Sequence, residues 1–126
     1  MYQAVTRNIA VSVSARFVPN DDNRYFWAYT VEIRNRSSIT VQLKTRHWII
    51  TDGAGKTEEV RGPGVVGEQP VLEPGAAFEY TSGVPLSTPS GFMTGTYGMV
   101  TLDGERFDIA IPAFSLDSPG AGRTIN

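Results

Sequence analysis

The chain has 126 residues, 40% of them apolar and 10% aromatic, with a formal charge of −2 and no cysteine. This length suits one domain that buries about two-thirds of its unfolded surface, and the apolar content excludes an intrinsically disordered chain. The absent thiols exclude disulfides, zinc–thiolate sites and a cysteine nucleophile, and the weak net charge gives no general pull towards nucleic acid.

The opening Met1-Tyr2-Gln3-Ala4-Val5-Thr6-Arg7 lacks the charged and apolar regions of a secretory signal. No apolar run approaches the roughly 18–20 residues of a membrane span. The expectation is a soluble cytoplasmic protein that engages no membrane. Asn8 to Phe17 then alternates strictly, with Ile9, Val11, Val13, Ala15 and Phe17 on one side, which is the period of a half-buried strand. Val18 to Asn23 carries turn chemistry. Arg24 to Arg34 reads as a second strand, with Tyr25, Trp27, Tyr29, Val31 and Ile33 sharing a face.

Asn35 to Ser38 reads as a short turn or a crossing between sheets. A third strand is expected from Ile39 to about Thr51, in the phase of Ile39, Val41 and Leu43 at first. The apolar residues then become Trp48, Ile49 and Ile50. That change predicts a bulge near Thr45 to His47, where the strand passes from one sheet to the other. Asp52-Gly53-Ala54-Gly55 is a hairpin loop, and Lys56 to Arg61 a short charged edge strand.

Arg61 to Gly75 holds four of the thirteen glycines and three of the eight prolines, separating two β-rich halves. Within it Gly62-x-Gly64-x-x-Gly67 has the spacing of a phosphate-cradling loop. In a dinucleotide fold such a loop opens a helix, whose N-terminal amides hold the pyrophosphate. Here Pro70 and Pro74 leave no room for one, Pro63 removes a donor, and Glu68 adds a negative charge. The glycines are therefore read as supplying positive φ and close packing for an irregular crossover. The alternative is an anion or nucleotide nest formed by Arg61, Gly62, Gly64 and Gly67 without a helix.

Glu73-Pro74-Gly75-Ala76 is a type II turn signal. The next strand, with Ala76, Phe78 and Tyr80 alternating, is expected to end at Ser82-Gly83, and Pro85 and Ser87 to Gly91 to form a connection. Phe92 to Thr101 is a strand interrupted by Gly95 and Gly98, with aromatic side chains expected across those gaps. Asp103-Gly104 is the clearest hairpin signal. It leads to Arg106 to Ala113, with Phe107, Ile109 and Ile111 inward. Residues 117–126 read as a flexible tail after a domain spanning 1–116.

Seven strands, no helical period and turns roughly every ten residues predict an all-β fold, an immunoglobulin- or fibronectin type III-like β-sandwich. A small closed barrel is the alternative. Val41-Gln42-Leu43, Arg46-His47-Trp48, Gly62 to Gln69-Pro70, Leu72-x-Pro74-Gly75, Thr88-Pro89-x-Gly91 and Ile111-Pro112-x-Phe114 together resemble the ApaG family, from roughly Val5 to Leu116. The resemblance implies a seven-stranded fibronectin type III-like sandwich that occurs as single-domain bacterial proteins. In eukaryotes it implies a domain within larger proteins, some of them F-box proteins. It also implies an association with diadenosine tetraphosphate hydrolase genes and with cobalt and magnesium tolerance, but it brings no reaction.

Catalytic groups are thin. His47 is the single histidine, lies between Arg46 and Trp48, and reads as a hydrogen-bonded structural residue. Asp21-Asp22 and Glu58-Glu59 are adjacent pairs, which strands point to opposite faces. No catalytic residue, metal site or cofactor is expected. Basic residues are uneven, eight Lys/Arg against six acids in 1–60 and three against seven in 61–126, with Arg34, Arg36, Lys44 and Arg46 the densest group. The functional expectation is a non-enzymatic module that binds another protein, with those four cations and an exposed aromatic such as Phe26 or Trp48 as its surface. A binder of pyrophosphate or a dinucleoside polyphosphate through the glycine-rich loop is the alternative; a nucleic-acid partner is not expected.

Overall fold

In a computed structural model the described residues are 1–20 and 24–119, and they form nine strands and no helix. The strands are β1 (Tyr2–Thr6), β2 (Ile9–Val18), β3 (Tyr25–Asn35), β4 (Val41–Asp52), β5 (Thr57–Pro63), β6 (Val71–Leu72), β7 (Ala77–Leu86), β8 (Ser90–Thr101) and β9 (Arg106–Asp117). One antiparallel sheet has the order β1-β2-β3-β7 and the other β5-β4-β8-β9, with β6 also on β4. Their inner faces close on one apolar core, so the fold is a β-sandwich, not a barrel.

The seven expected strands are all present, as three in the first sheet and four in the second. The two additional ones escaped for different reasons. β1 is polar and largely exposed and acquires its structure by pairing with β2, from Tyr2↔Val13 to Thr6↔Ile9. β6 is two residues long, below any readable period. The turn between β1 and β2 places Arg7 and Asn8 at φ 49° and 62°, a region that asparagine tolerates.

Three expectations need correction. The irregularity in β4 falls at Lys44, between Leu43 and Thr45, and β4 stays beside β8 throughout; the crossing between sheets is instead made by Arg36 to Thr40. β7 continues past Ser82-Gly83 through Pro85 to Leu86, paired with β3 on one side only. Proline is admissible there because an edge strand has no second ladder to serve. Finally, Gly95 and Gly98 do not admit aromatic rings. A Cβ at Gly95 would collide with the His47 carbonyl, and one at Gly98 with the Thr45 hydroxyl, so both let β4 approach β8 closely. The ring that lies on a glycine is Phe26, over Gly83. The expected turn residues 21–23 and the tail residues 120–126 lie outside the described residues; before them, Ser118 is buried and donates to Pro89 O at 2.7 Å.

Asn35, at the end of β3, is fully buried and has a partner for every side-chain polar atom. Its Nδ2 donates to Ile39 O (2.8 Å) and Leu72 O (2.9 Å), and its Oδ1 accepts from Ser37 N and Oγ. Its backbone bonds Ala76 and Gly75. One residue thus ties the crossing and β6 through its side chain and the turn before β7 through its main chain. Asn35→Ala strands the buried Leu72 carbonyl, at about 1–3 kcal/mol, and removes the acceptor shared by Ser37 N and Oγ. Urea unfolding should show a loss of at least about 2 kcal/mol; an unchanged midpoint would contradict this account of the crossing.

Candidate functional site

The sandwich closes on one side and stays open on the other. Along the closed side β1 and β2 pack on β9. There Tyr2 Oη meets Ser115 Oγ at 2.9 Å, and the Arg7 guanidinium pairs with Glu105 at 2.9 Å and lies over the Phe107 ring. Along the opposite side the edge strands β5 and β7 face each other across a cleft of about 460 Å³. Its floor is aromatic: Tyr29 from β3, Trp48 from β4 and Tyr80 from β7, with Met93 beneath. Trp48 is packed edge-on against Tyr29 (5.4 Å), Tyr97 (6.2 Å) and Phe114 (6.0 Å), joining the sheets. The Tyr80 and Tyr97 hydroxyls, one from each sheet, share a 2.5 Å hydrogen bond.

Arg46 stands in this cleft. It has the same parity as Trp48 and Ile50, so the strand turns its side chain inward. Its Nη1 donates to Pro63 O (2.9 Å) and Gly64 O (3.0 Å). The guanidinium lies against Gly62, where an added Cβ would come within 2.9 Å of Nη2. Among the described residues Arg46 has no carboxylate within ion-pair distance, and its Nε and Nη2 have no hydrogen-bond partner. The cation acts on the phenols around it. Burial pushes Tyr29 up, and a hydrogen bond from Ser82 and the charge of Arg46 partly offset it. Burial likewise pushes Tyr80 well up, against its bond to Tyr97 and the Arg46 charge, while Tyr97 is raised further by burial and by Tyr80.

The glycine-rich loop forms one wall of the cleft and fills the gap between β5 and β6 along β4. β5 pairs with Thr45 to Thr51 and β6 with Val41 and Gln42, leaving the bulged Lys44 uncovered. The loop covers it: Gly64 N and Gln69 Nε2 both donate to Lys44 O (2.8 and 2.9 Å), and Leu43 N donates to Pro70 O. At the tip Val65 and Glu68 exchange two 2.8 Å bonds around Val66 and Gly67, which have φ 44° and 80°, the pattern of a type I′ hairpin turn. The expectation of positive φ holds for Gly64 and Gly67 but not for Gly62, which is needed for the close approach of Arg46. Val66 is the anomaly, a β-branched residue in a conformation that costs about 1–2 kcal/mol. It is 54% exposed and stands on the rim of the cleft.

The residues expected to form an anion nest are not gathered into one. Arg61 points away on the outer face, its guanidinium 3.1 Å from Glu59. The amides of Gly64, Val65 and Glu68 are already committed within the protein. The basic group also disperses. Arg34 is on the outer face of the first sheet, bonded to Glu32 and Gly75 O. Arg36 is in the crossing, Lys44 is exposed at the bulge, and Arg46 alone enters the cleft. Phe26 is exposed, as expected, but on the outer face of the first sheet, and Trp48 is buried within the cleft floor. His47 is bonded as expected, with Nε2 2.8 Å from Glu59 Oε1 on the outer face of the second sheet, beside Arg61; His47 and Arg61 together hold the Glu59 carboxyl below its usual range. Among the described residues no group of three His, Asp or Glu side chains is placed to hold a metal ion.

Sequence reasoning missed Tyr29, Tyr80, Ser82 and Val66 as site residues. One signal was available: a charged residue two positions before Trp48, in the phase that faces the core.

These features define a two-sheet β-sandwich with one open, aromatic-floored side. The chain belongs to the ApaG family: the ApaG domain model matches residues 16–101. It is 63% identical across 130 residues to Protein ApaG of Bradyrhizobium diazoefficiens, covering all of both chains. To Protein ApaG of Rhodospirillum centenum it is 61% identical across 123 residues, covering 94% of this chain and 95% of that one. A solved Bordetella pertussis structure described as an ApaA protein superposes with a TM-score of 0.86 at 50% identity, covering 92% of this chain and 98% of that one.

The strained turn generates a direct expectation. Val66→Asn creates Asn-Gly, the favoured pair for a type I′ turn, and should stabilise the fold by about 1 kcal/mol. A denaturation midpoint at or below that of the parent would contradict the strain assigned to Val66.

Proposed function

We propose that the protein is a binding module that turns over no substrate, and that it docks another protein along the open side of the sandwich. The observation that carries this reading is the cleft itself. An aromatic floor, a cation without an acid partner among the described residues and an exposed apolar rim residue meet there between two strand edges. Such edges present unpaired backbone groups to an incoming chain. Aromatic and arginine side chains in partly desolvated pockets are also the groups that dominate binding energy at protein interfaces.

Catalysis has less support. His47 and Glu59 are placed for an exposed pairing on the far face of the second sheet, remote from the cleft. The cleft phenols are held protonated by burial, which makes them poor bases at neutral pH. Recognition of pyrophosphate or a dinucleoside polyphosphate by the glycine-rich loop is supported less well, because the Gly64 and Val65 amides are spent on Lys44 and on the turn and Arg61 faces away.

The test compares capture of a partner by three baits. Val66→Asp places a residue that tolerates positive φ better than valine at the turn and removes the apolar rim, and Lys44→Glu alters the bulge outside the cleft. The partner held by the parent should be bound about tenfold or more weakly by Val66→Asp and almost unchanged by Lys44→Glu. Equal binding by all three, or steady hydrolysis of a dinucleoside polyphosphate by the purified chain, would overturn this function.

A further inference from the structure

Resting on the docking reading above, we infer that the cleft takes an extended segment of its partner and that an acidic side chain of that segment lands on Arg46. Three observations carry the assignment. The first is the guanidinium. Its Nη1 is anchored by two carbonyls, so the group is fixed before any ligand arrives, while Nε and Nη2 have no partner among the described residues. A planar fork with an open edge matches a carboxylate in two-point geometry.

The second is the charge count. Among the described residues the cleft lining holds Arg46 and Arg24 against Glu58, an excess of one positive charge. That balance suits a monoanion. A polyphosphate would bring several charges against Glu58 and against Glu68 in the adjoining loop, with one fixed cation to meet them. The aromatic floor adds a place for an apolar side chain beside the acid.

The third is the shape. A second hollow of about 360 Å³ continues the cleft along the same two edges and shares Arg24, Ile50, Glu58 and Pro85 with it. The groove is therefore a trough that lets a chain run through, so the acid is a side chain within the segment and not its terminus. Both walls are sheet edges, which favours an extended backbone. A five-residue extended probe, at roughly 3.3–3.6 Å per residue, reaches about 17 Å.

The test uses the ¹⁵N-labelled full chain and two blocked five-residue peptides, Ala-Phe-Asp-Val-Thr and Ala-Phe-Asn-Val-Thr, with pyrophosphate as a third titrant. The acidic peptide should move the Arg46 Nε–Hε signal and the amides of Val66, Gly67 and Ser82 together and saturably. The amide peptide should bind about tenfold more weakly, the cost of losing a charge-assisted pair. Equal binding of the two peptides would overturn the role of Arg46 while leaving the cleft as a docking site. Tighter binding of pyrophosphate at the same signals would replace the carboxylate by a phosphate, and no movement with either peptide would also overturn the inference. The capture experiment decides the docking reading separately.

Discussion

The contact on which the molecule turns is that of Trp48 with Tyr29 across the sandwich and with Tyr97 and Phe114 on its own sheet. A ring of this size, 3% exposed and held edge-on by three others, fixes how closely the sheets approach. With the hydroxyl pair of Tyr80 and Tyr97 beside it, the same cluster satisfies the polar atoms that aromatic packing brings into the core. It also lies on the open side, so the core there is simultaneously the floor of the cleft. A change made to alter binding at Tyr29 or Tyr80 therefore alters sheet packing too.

The remaining architecture manages edges. The first sheet is sealed on one side by β1 against β9, while β7, with Pro85 in it, is left bare. In the second sheet the bulge at Lys44 interrupts the ladder, and the segment from Gly64 to Pro70 takes over its hydrogen bonds. This explains why glycines and prolines concentrate there without a phosphate. The loop must turn sharply twice, hold Gly64 against the Glu68 carbonyl and present its own carbonyls to Arg46. Arg46 thus couples the loop to the cleft, so the wall and the cation inside it are positioned by one set of bonds.

Much of the fold was legible because alternation in β3 and β9 reports burial directly: Val31 and Ile109 are fully buried in the predicted phase, whereas in β2 Ala10 and Ser12 of the opposite phase are buried as well. The family was legible because its motifs lie where backbone geometry is demanding, as at Gly64, Gly75 and Gly91. What stayed hidden depends on pairing. β1 has a polar sequence and becomes a strand through its neighbour; β7 outlasts a glycine and a proline because it is an edge. The cleft was illegible for a related reason. It is formed by β3, β4, β5 and β7 side by side, an order that no local pattern encodes, and the clustered basic residues that drew attention in the sequence diverge onto different faces. Asn35 likewise looked like a turn residue, and only its surroundings make it the buried tie between three segments.

On the proposed reading, a sandwich sealed on one side and floored by aromatic side chains on the other takes its partner along that open side. The most direct test is backbone hydrogen exchange on the full chain, alone and bound to its captured protein partner. Protection should appear in β5, β7 and residues 64–69, with β1 and β9 unchanged. Protection confined to the closed side or to the outer sheet faces, with β5 and β7 exchanging as in the free chain, would contradict the account.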